Sequence, residues 1–409
     1  MPAHNLSTVN EAAHRSRLTP SLREGERVRP LELFFDLVFV LAITQCTALM
    51  VAHPTWTRLA EAVLVLALLW WSWTGYAWLT SVIDPEEGAV RIALIAAMAA
   101  LLIVAIAVPR AFDDLALEFA LAYTAVRVAH ITLFVLAIRD DRGFRRSVLG
   151  LAVGTTVGCA LLIGGALLDT GPQIALWTVA LALDAGEPLL ASAESWRLVP
   201  GHFAERHGQI VIVALGESIV ALGVGSDVGL TLGLTVAAIL GIVLVSELWW
   251  IYFDVVSIAN VRRLVRAAPG QEQNAMARDV YSYLHFPLVA GIVIAAFGLH
   301  ETLEHVDEPL HHVPAFALLG GVAIYLLGHV AVRLRGAHSW NWRRLGLALV
   351  LLAAYPLALE VDSLAVLAAV TVLLAGLIAI ETRGYGETRS EFRHSFYETP
   401  AGVDTDSPT

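Results

Sequence analysis

Apolar runs of about 20 residues alternate with short arginine-bearing segments along almost the whole chain. A helix rising about 1.5 Å per residue needs roughly 20 residues to cross a hydrocarbon core of about 30 Å. Runs at 31–52, 58–82, 88–108, 112–138, 146–168, 173–193, 207–225, 229–257, 278–300, 313–335, 341–359 and 362–382 meet that length. They predict an all-α polytopic membrane protein with about 12 spanning helices, because a backbone in lipid must satisfy its own N–H and C=O groups. No period-two alternation is present, which argues against a barrel with a polar lumen.

Composition agrees. Hydrophobic residues make up 57% of the chain and charged residues 15%, too few for the surface of a soluble protein of 409 residues. All 26 basic residues are arginine, and 23 of them fall on one side of the predicted membrane, Arg197 and Arg206 among them. Arg58 and Arg110 fall on the other side, and Arg127 lies within a span. The positive-inside rule makes the arginine-rich side cytoplasmic, so both termini of a multi-pass plasma-membrane protein are expected in the cytosol. The net charge of −11 adds little, since acidic residues barely influence orientation. A polar tail precedes the first span, so no cleavable signal is expected. Cys46 and Cys159 fall inside spans and read as buried apolar residues, not as a disulfide framework.

The two halves echo each other. Glu32, Asp36 and Thr44 in the first span match the spacing of Glu205, Gln209 and Glu217 in the seventh. Trp70-Trp71 in the second is answered by Trp249-Trp250 in the eighth, and Arg145-Arg146 by Arg343-Arg344. This predicts a cytoplasmic tail (1–30), a six-helix repeat (31–193), a cytoplasmic linker (194–206), a second repeat (207–382) and a disordered cytoplasmic tail (383–409). Six crossings leave the repeats in the same orientation, related by an axis along the membrane normal, with any translocation path at their interface. Chance likeness between apolar helices is the alternative.

Ionisable groups in a bilayer are costly and face protein or water. The candidate path is Glu32, Asp36, Thr44, Arg127, Asp184, Glu187, Glu205, Glu217, Glu247 and Asp254. Glu32 and Asp36 share a helix face, which reads either as a cation or proton path or as interhelical bonding, with Asp36 pairing an arginine such as Arg127. Asp184-Ala-Gly-Glu187-Pro188 suggests a broken helix flanked by carboxylates, or simply a helix end. Glu217 is the deepest acid, suited to carry a proton or bind a cation, or else a structural carboxyl bonded to a neighbouring helix. Asp36, Asp184, Glu187, Glu247 and Asp254 fall in the cytoplasmic half and suggest an acidic vestibule there. Nearby tryptophans could line it through cation–π contacts, or serve as interfacial belt and packing residues.

Two motifs fall short. His300-Glu301-Thr-Leu-Glu304-His305 nearly spells the zinc-protease helix, but position 304 is Glu where a second His is required. His300, Glu304 and His305 remain weak candidates for an external metal site, against a solvated loop. Asp140-Asp141-Arg-Gly-Phe-Arg-Arg146 is similar to the loop motif of major facilitator transporters, but follows the fourth span and not the second. No nucleotide-binding loop is present, and neither a cofactor nor a nucleic-acid partner is implied.

The stretch Arg29-Pro-Leu-Glu-Leu-Phe-Phe-Asp-Leu-Val-Phe-Val-Leu-Ala-Ile-Thr-Gln45 resembles the opening signature of the bacterial low temperature requirement A proteins. Phe203-Ala-Glu-Arg-His-Gly-Gln-Ile-Val-Ile-Val-Ala-Leu-Gly-Glu-Ser-Ile219 is similar to that family's second hallmark. The resemblance implies a polytopic fold over about 30–382 and a link to growth in the cold, without an activity to carry over. A fainter similarity joins the Phe-Phe-Asp start to the Phe-Ser-Asp start of an endolysosomal potassium-channel family. The leading expectation is a transporter or channel for protons, monovalent cations or a cationic solute. The alternative is a membrane enzyme or lipid-handling protein using the external His/Glu loop. The bilayer and a small cation or solute are the expected partners, and oligomeric state is open.

Overall fold

The computed structural model describes residues 27–86, 88–137, 142–190, 193–194, 196–224 and 231–384. The expected tail disorder and the start of the Asp140 motif lie outside the described residues. Each predicted span is helical. The first six helices are α1 (Pro30–Ala52), α2 (Trp56–Val82), α3 (Gly88–Ala107), α4 (Ala116–Ala137), α5 (Arg142–Gly165) and α6 (Thr170–Leu190). The remainder are α7 (Pro200–Val224), α8 (Leu232–Phe253), α9 (Val256–Arg266), α10 (Gln271–Met276), α11 (Phe286–Glu304), α12 (His312–Ala337), α13 (Trp342–Ala353), α14 (Tyr355–Ala358) and α15 (Ser363–Gly384). Starts follow local chemistry: Thr55 caps α2 and Thr231 caps α8, each accepting from the backbone N–H three residues on. Pro30 opens α1 at a position whose N–H would be unsatisfied anyway.

Among the described residues, nine helical segments are long and apolar enough to cross a membrane. α6, α7 and α13–α14 fall outside that group. α7 carries the polar load of His202, Glu205, Arg206, His207 and Glu217. The eleventh run breaks into α13 and α14, where Pro356 cannot donate to the preceding turn. Large apolar side chains such as Leu37, Ile92, Val153 and Val372 are 60–71% exposed, an outward face suited to lipid.

Two expectations are corrected. α6 is not broken at its Asp-Ala-Gly-Glu-Pro stretch: the helix runs through Pro188 to Leu190. Carbonyls around the proline find other donors, the Tyr283 hydroxyl on Ala185 and Arg278 on Pro188 at 2.9 Å. α7 starts at Pro200, not at 207, so Arg206 lies within a helix and is fully buried instead of in a loop.

Helix neighbours recur between the halves. The first packs on the third (α1–α3, α7–α11), the third on the fourth (α3–α4, α11–α12), the fourth on the fifth (α4–α5, α12–α13) and the second on the sixth (α2–α6, α8–α15). The halves meet where α7 and α11 lie along α1. α11 and α12 form the tightest antiparallel pair. A Cβ added at Gly291 would sit 2.6 Å from the Tyr325 backbone nitrogen, and one at Gly321 2.5 Å from that of Ala295. Backbone meets backbone there, the usual role of small residues between membrane helices. Gly291→Val should therefore lower the melting temperature and the monodisperse yield of purified protein, at a cost of about 1–3 kcal/mol or more from overpacking. Gly346→Ala, which meets open space, should leave both unchanged.

Candidate functional site

α1 and α7 are joined by three polar rungs. His202 Nε2 lies 2.9 Å from Glu32 Oε1. Four residues on, Arg206 meets the Asp36 carboxylate at 3.0 Å and donates to the Glu32 carbonyl at 2.9 Å. Further along, the Thr44 hydroxyl donates to Glu217. The rungs ascend together in both helices, so α1 and α7 run parallel. If both span the membrane, the number of crossings between them is odd, as the five helices α2–α6 would give.

The middle rung is enclosed. Trp73 of α2 donates its indole N–H to Asp36 Oδ1 at 2.9 Å, and its ring lies 5.6 Å from the Arg206 guanidinium carbon. Glu32, Asp36, His202, Arg206 and His207 are all buried. An aromatic set closes over them: His207 stands edge-on to Trp73, Tyr281 and His285, and Tyr252 O–H is 2.9 Å from His285 Nε2. Tyr281 belongs to a π-helical stretch, Ala277–Tyr283, that leads into α11. Widened turns of this kind often occur at functional sites. Two tryptophans of α2 fasten it, Trp70 to the Ser282 carbonyl at 2.7 Å and Trp78 to the Ser282 hydroxyl at 3.0 Å.

Beyond Glu217 the polar line continues on α11. His300 Nδ1 is 3.4 Å from the Ala221 carbonyl, one turn past Glu217. His300, Glu301 and Glu304 bring one ligand atom each within 4.8 Å of one another. Of the three weak metal candidates, His300 and Glu304 belong to this group. His305 does not: its Nδ1 turns to its own helix, 3.2 Å from the Glu301 carbonyl, and Glu301 takes its place.

Other candidates lie elsewhere. Arg127 pairs with Asp184 at 2.7 Å, and Thr155 bonds both, so these three form a separate buried knot between α4, α5 and α6. Arg127 is thus the partner of Asp184, and Arg206 that of Asp36. Glu187 packs against Gly150 of α5, and Glu247 is buried on α8. Asp254 lines a cavity at the arginine-rich end, and Glu205 is exposed on α7, so it does not share the environment of Glu32. Asp36 and Asp184 are buried in ion pairs with their arginines and do not form one common acidic vestibule with Glu187, Glu247 and Asp254.

Arg206, His202 and Trp73 are absent from the sequence-derived path. Counting Arg206 as a loop residue hid it. A signal was nonetheless present: His202 and Arg206 repeat the four-residue spacing of Glu32 and Asp36 with nitrogen-bearing side chains opposite the two carboxyls. Removing one member of a buried pair costs about 3–5 kcal/mol, whereas replacing both by apolar groups is often neutral. Asp36→Asn and Arg206→Gln should each lower the melting temperature sharply, and Asp36→Leu/Arg206→Met should recover most of the loss. Additive losses in the double variant would mean the two groups are not coupled.

Against known proteins, the profile of the bacterial low temperature requirement A protein (LtrA) family matches residues 27–379. An uncharacterized protein of Rhizobium meliloti (strain 1021) is 31% identical over 308 residues, covering 73% of this chain and 75% of that protein. No solved structure matches. The match takes in every helix of the seam, the Glu32–Asp36 and Glu217 stretches included, and the chain belongs to the bacterial low temperature requirement A family.

Proposed function

We propose that the chain is a transporter of protons or small monovalent cations, with Glu217 as the carrying group at the contact between two like-oriented six-helix repeats. The observation that carries this reading is the contrast along the α1–α7 seam. Asp36 is neutralised by Arg206, whereas among the described residues no arginine lies within ion-pair distance of Glu217, which is held by the Thr44 hydroxyl. A buried carboxyl without a cation is the group to take up and release a proton or to bind a small cation.

The repeat reading is supported by the recurring helix neighbours and by the parallel sense of α1 and α7. It agrees with the arginine distribution, which puts both termini in the cytosol. Thr44 lies eight residues beyond Asp36, or about 12 Å along the helix, and buried Phe39 and Ile43 fill the interval. A dry layer of that depth favours a carrier that exposes its site by turns over an open channel. The alternative of a membrane enzyme draws support from the His300, Glu301 and Glu304 cluster. In that case purified protein retains a metal ion that His300→Ala releases.

The test of transport is ion flux in liposomes. Wild type should dissipate an imposed proton or potassium gradient, and Glu217→Gln should cut the flux at least about tenfold, the effect of roughly 1.4 kcal/mol. Asp36→Asn should disturb both stability and flux. Glu217→Gln protein that is folded and as active as wild type would end the proposal.

A further inference from the structure

The second half holds a cavity of about 300 Å³ between α8, α9, α12, α13 and α15, at the arginine-rich end. Its polar wall is rich in donors. Arg263 and Arg333 line it, and among the described residues neither has a carboxylate within ion-pair distance. Arg263 bonds the Asn260 side-chain oxygen at 3.3 Å, and Arg333 donates to Ser339 at 3.0 Å, so each retains further N–H groups. Asn260 is 4% exposed and its amide nitrogen has no acceptor. His329 is 2% exposed and neither ring nitrogen has a partner.

Buried donors left unmade cost about 1–3 kcal/mol each, so a native fold that assembles several around one space points to an acceptor that belongs there. Two acids border the cavity. Glu381 is bound by Arg344 through two hydrogen bonds of 3.1 and 2.8 Å, which leaves Asp254 against Arg263 and Arg333. The excess is positive. Two guanidinium groups, an amide and an imidazole present more N–H groups than a two-oxygen carboxylate can accept, and suit a tetrahedral oxyanion.

We propose that this cavity binds a phosphoryl anion from the cytoplasmic side, either free or as the headgroup of an anionic lipid. Trp250 and Ile378 supply an apolar wall, and Trp250 is 42% exposed towards the outside of the bundle, where an acyl chain could run. A second cavity, of about 60 Å³, lies among α2, α4, α5, α6, α10 and the π-helical stretch. His130 lines it without partners, but both its arginines are spent, Arg127 on Asp184 and Arg278 on Asp279. The proposal is independent of the transport reading.

The test uses the full chain, with inorganic phosphate titrated into detergent-solubilised protein. In parallel, protein from nanodiscs of phosphatidylglycerol or phosphatidylcholine is analysed for retained lipid by native mass spectrometry. Wild type should bind phosphate saturably, or retain phosphatidylglycerol in preference to phosphatidylcholine. The first result identifies a free anion, the second a headgroup. Arg263→Gln/Arg333→Gln should weaken whichever is bound by about tenfold or more. If that variant does not fold, Asp254→Asn, which keeps both arginines, should tighten binding several-fold. Absence of both kinds of binding by wild type overturns the site. So does unchanged binding in the folded double variant, or in Asp254→Asn where the double variant fails to fold.

Discussion

A carboxylate taken into hydrocarbon loses several kcal/mol of hydration that nothing but a partner can return. α1 carries two of them, Glu32 and Asp36, one turn apart on a single face and both buried. α7 answers with His202 and Arg206 at the same spacing. Sliding α7 by one residue would turn both partners by about 100° and strand two charges. The pairing therefore fixes the register of α1 against α7, and with it the seating and parallel sense of one half of the chain against the other. Trp73 adds a neutral donor to the same carboxylate and a ring beside the guanidinium, so α2 is bound into that register as well.

The same rule separates structural acids from available ones. Asp36, Asp184 and Glu381 each meet an arginine and serve to hold helices together. Glu217 meets a threonine. A hydroxyl satisfies a carboxyl in either protonation state by turning its own hydrogen, which a guanidinium cannot do. Along one seam the chain thus places a charge pair near the arginine-rich end and a carboxyl bonded to a hydroxyl further in, with buried Phe39 and Ile43 between.

The fold was legible in the sequence wherever length and hydrophobicity decide it. Each predicted span is helical, the eleventh as two helices, with ends displaced by several residues, as at Pro200. Local chemistry misled where tertiary partners compensate it. Pro188 reads as a helix break, yet the helix continues to Leu190, and Tyr283 and Arg278 reach in from the π-helical stretch to the neighbouring carbonyls of Ala185 and Pro188. Arg206 reads as a loop residue because a buried arginine is improbable until its carboxylate is known, and that carboxylate is 170 positions away. The sequence brought forward Glu32, Asp36, Thr44 and Glu217, all of which converge on the seam. It grouped with them Asp184, Glu187 and Arg127, which belong to α4–α6, since residue type and depth say nothing of which helix a side chain faces.

The two halves are tied at a second place. Trp70 and Trp78 of α2 both bond Ser282, in the π-helical stretch that leads into α11. α11 in turn is locked to α12 backbone against backbone, so this pair moves as a unit if it moves at all. Any rearrangement that separates Thr44 from Glu217 shifts α7 relative to α1 and so changes how α11 packs on one of them, because it touches both. The α2 clamp then resists unless the segment between Ala277 and Tyr283 changes its winding. A π-helical turn, with its wider and weaker bonding, is the part of this backbone best able to do so. The irregularity in the ninth span is thereby connected to the charge pair at the first: one fixes how the halves sit, and the other is where the chain can yield when they do not.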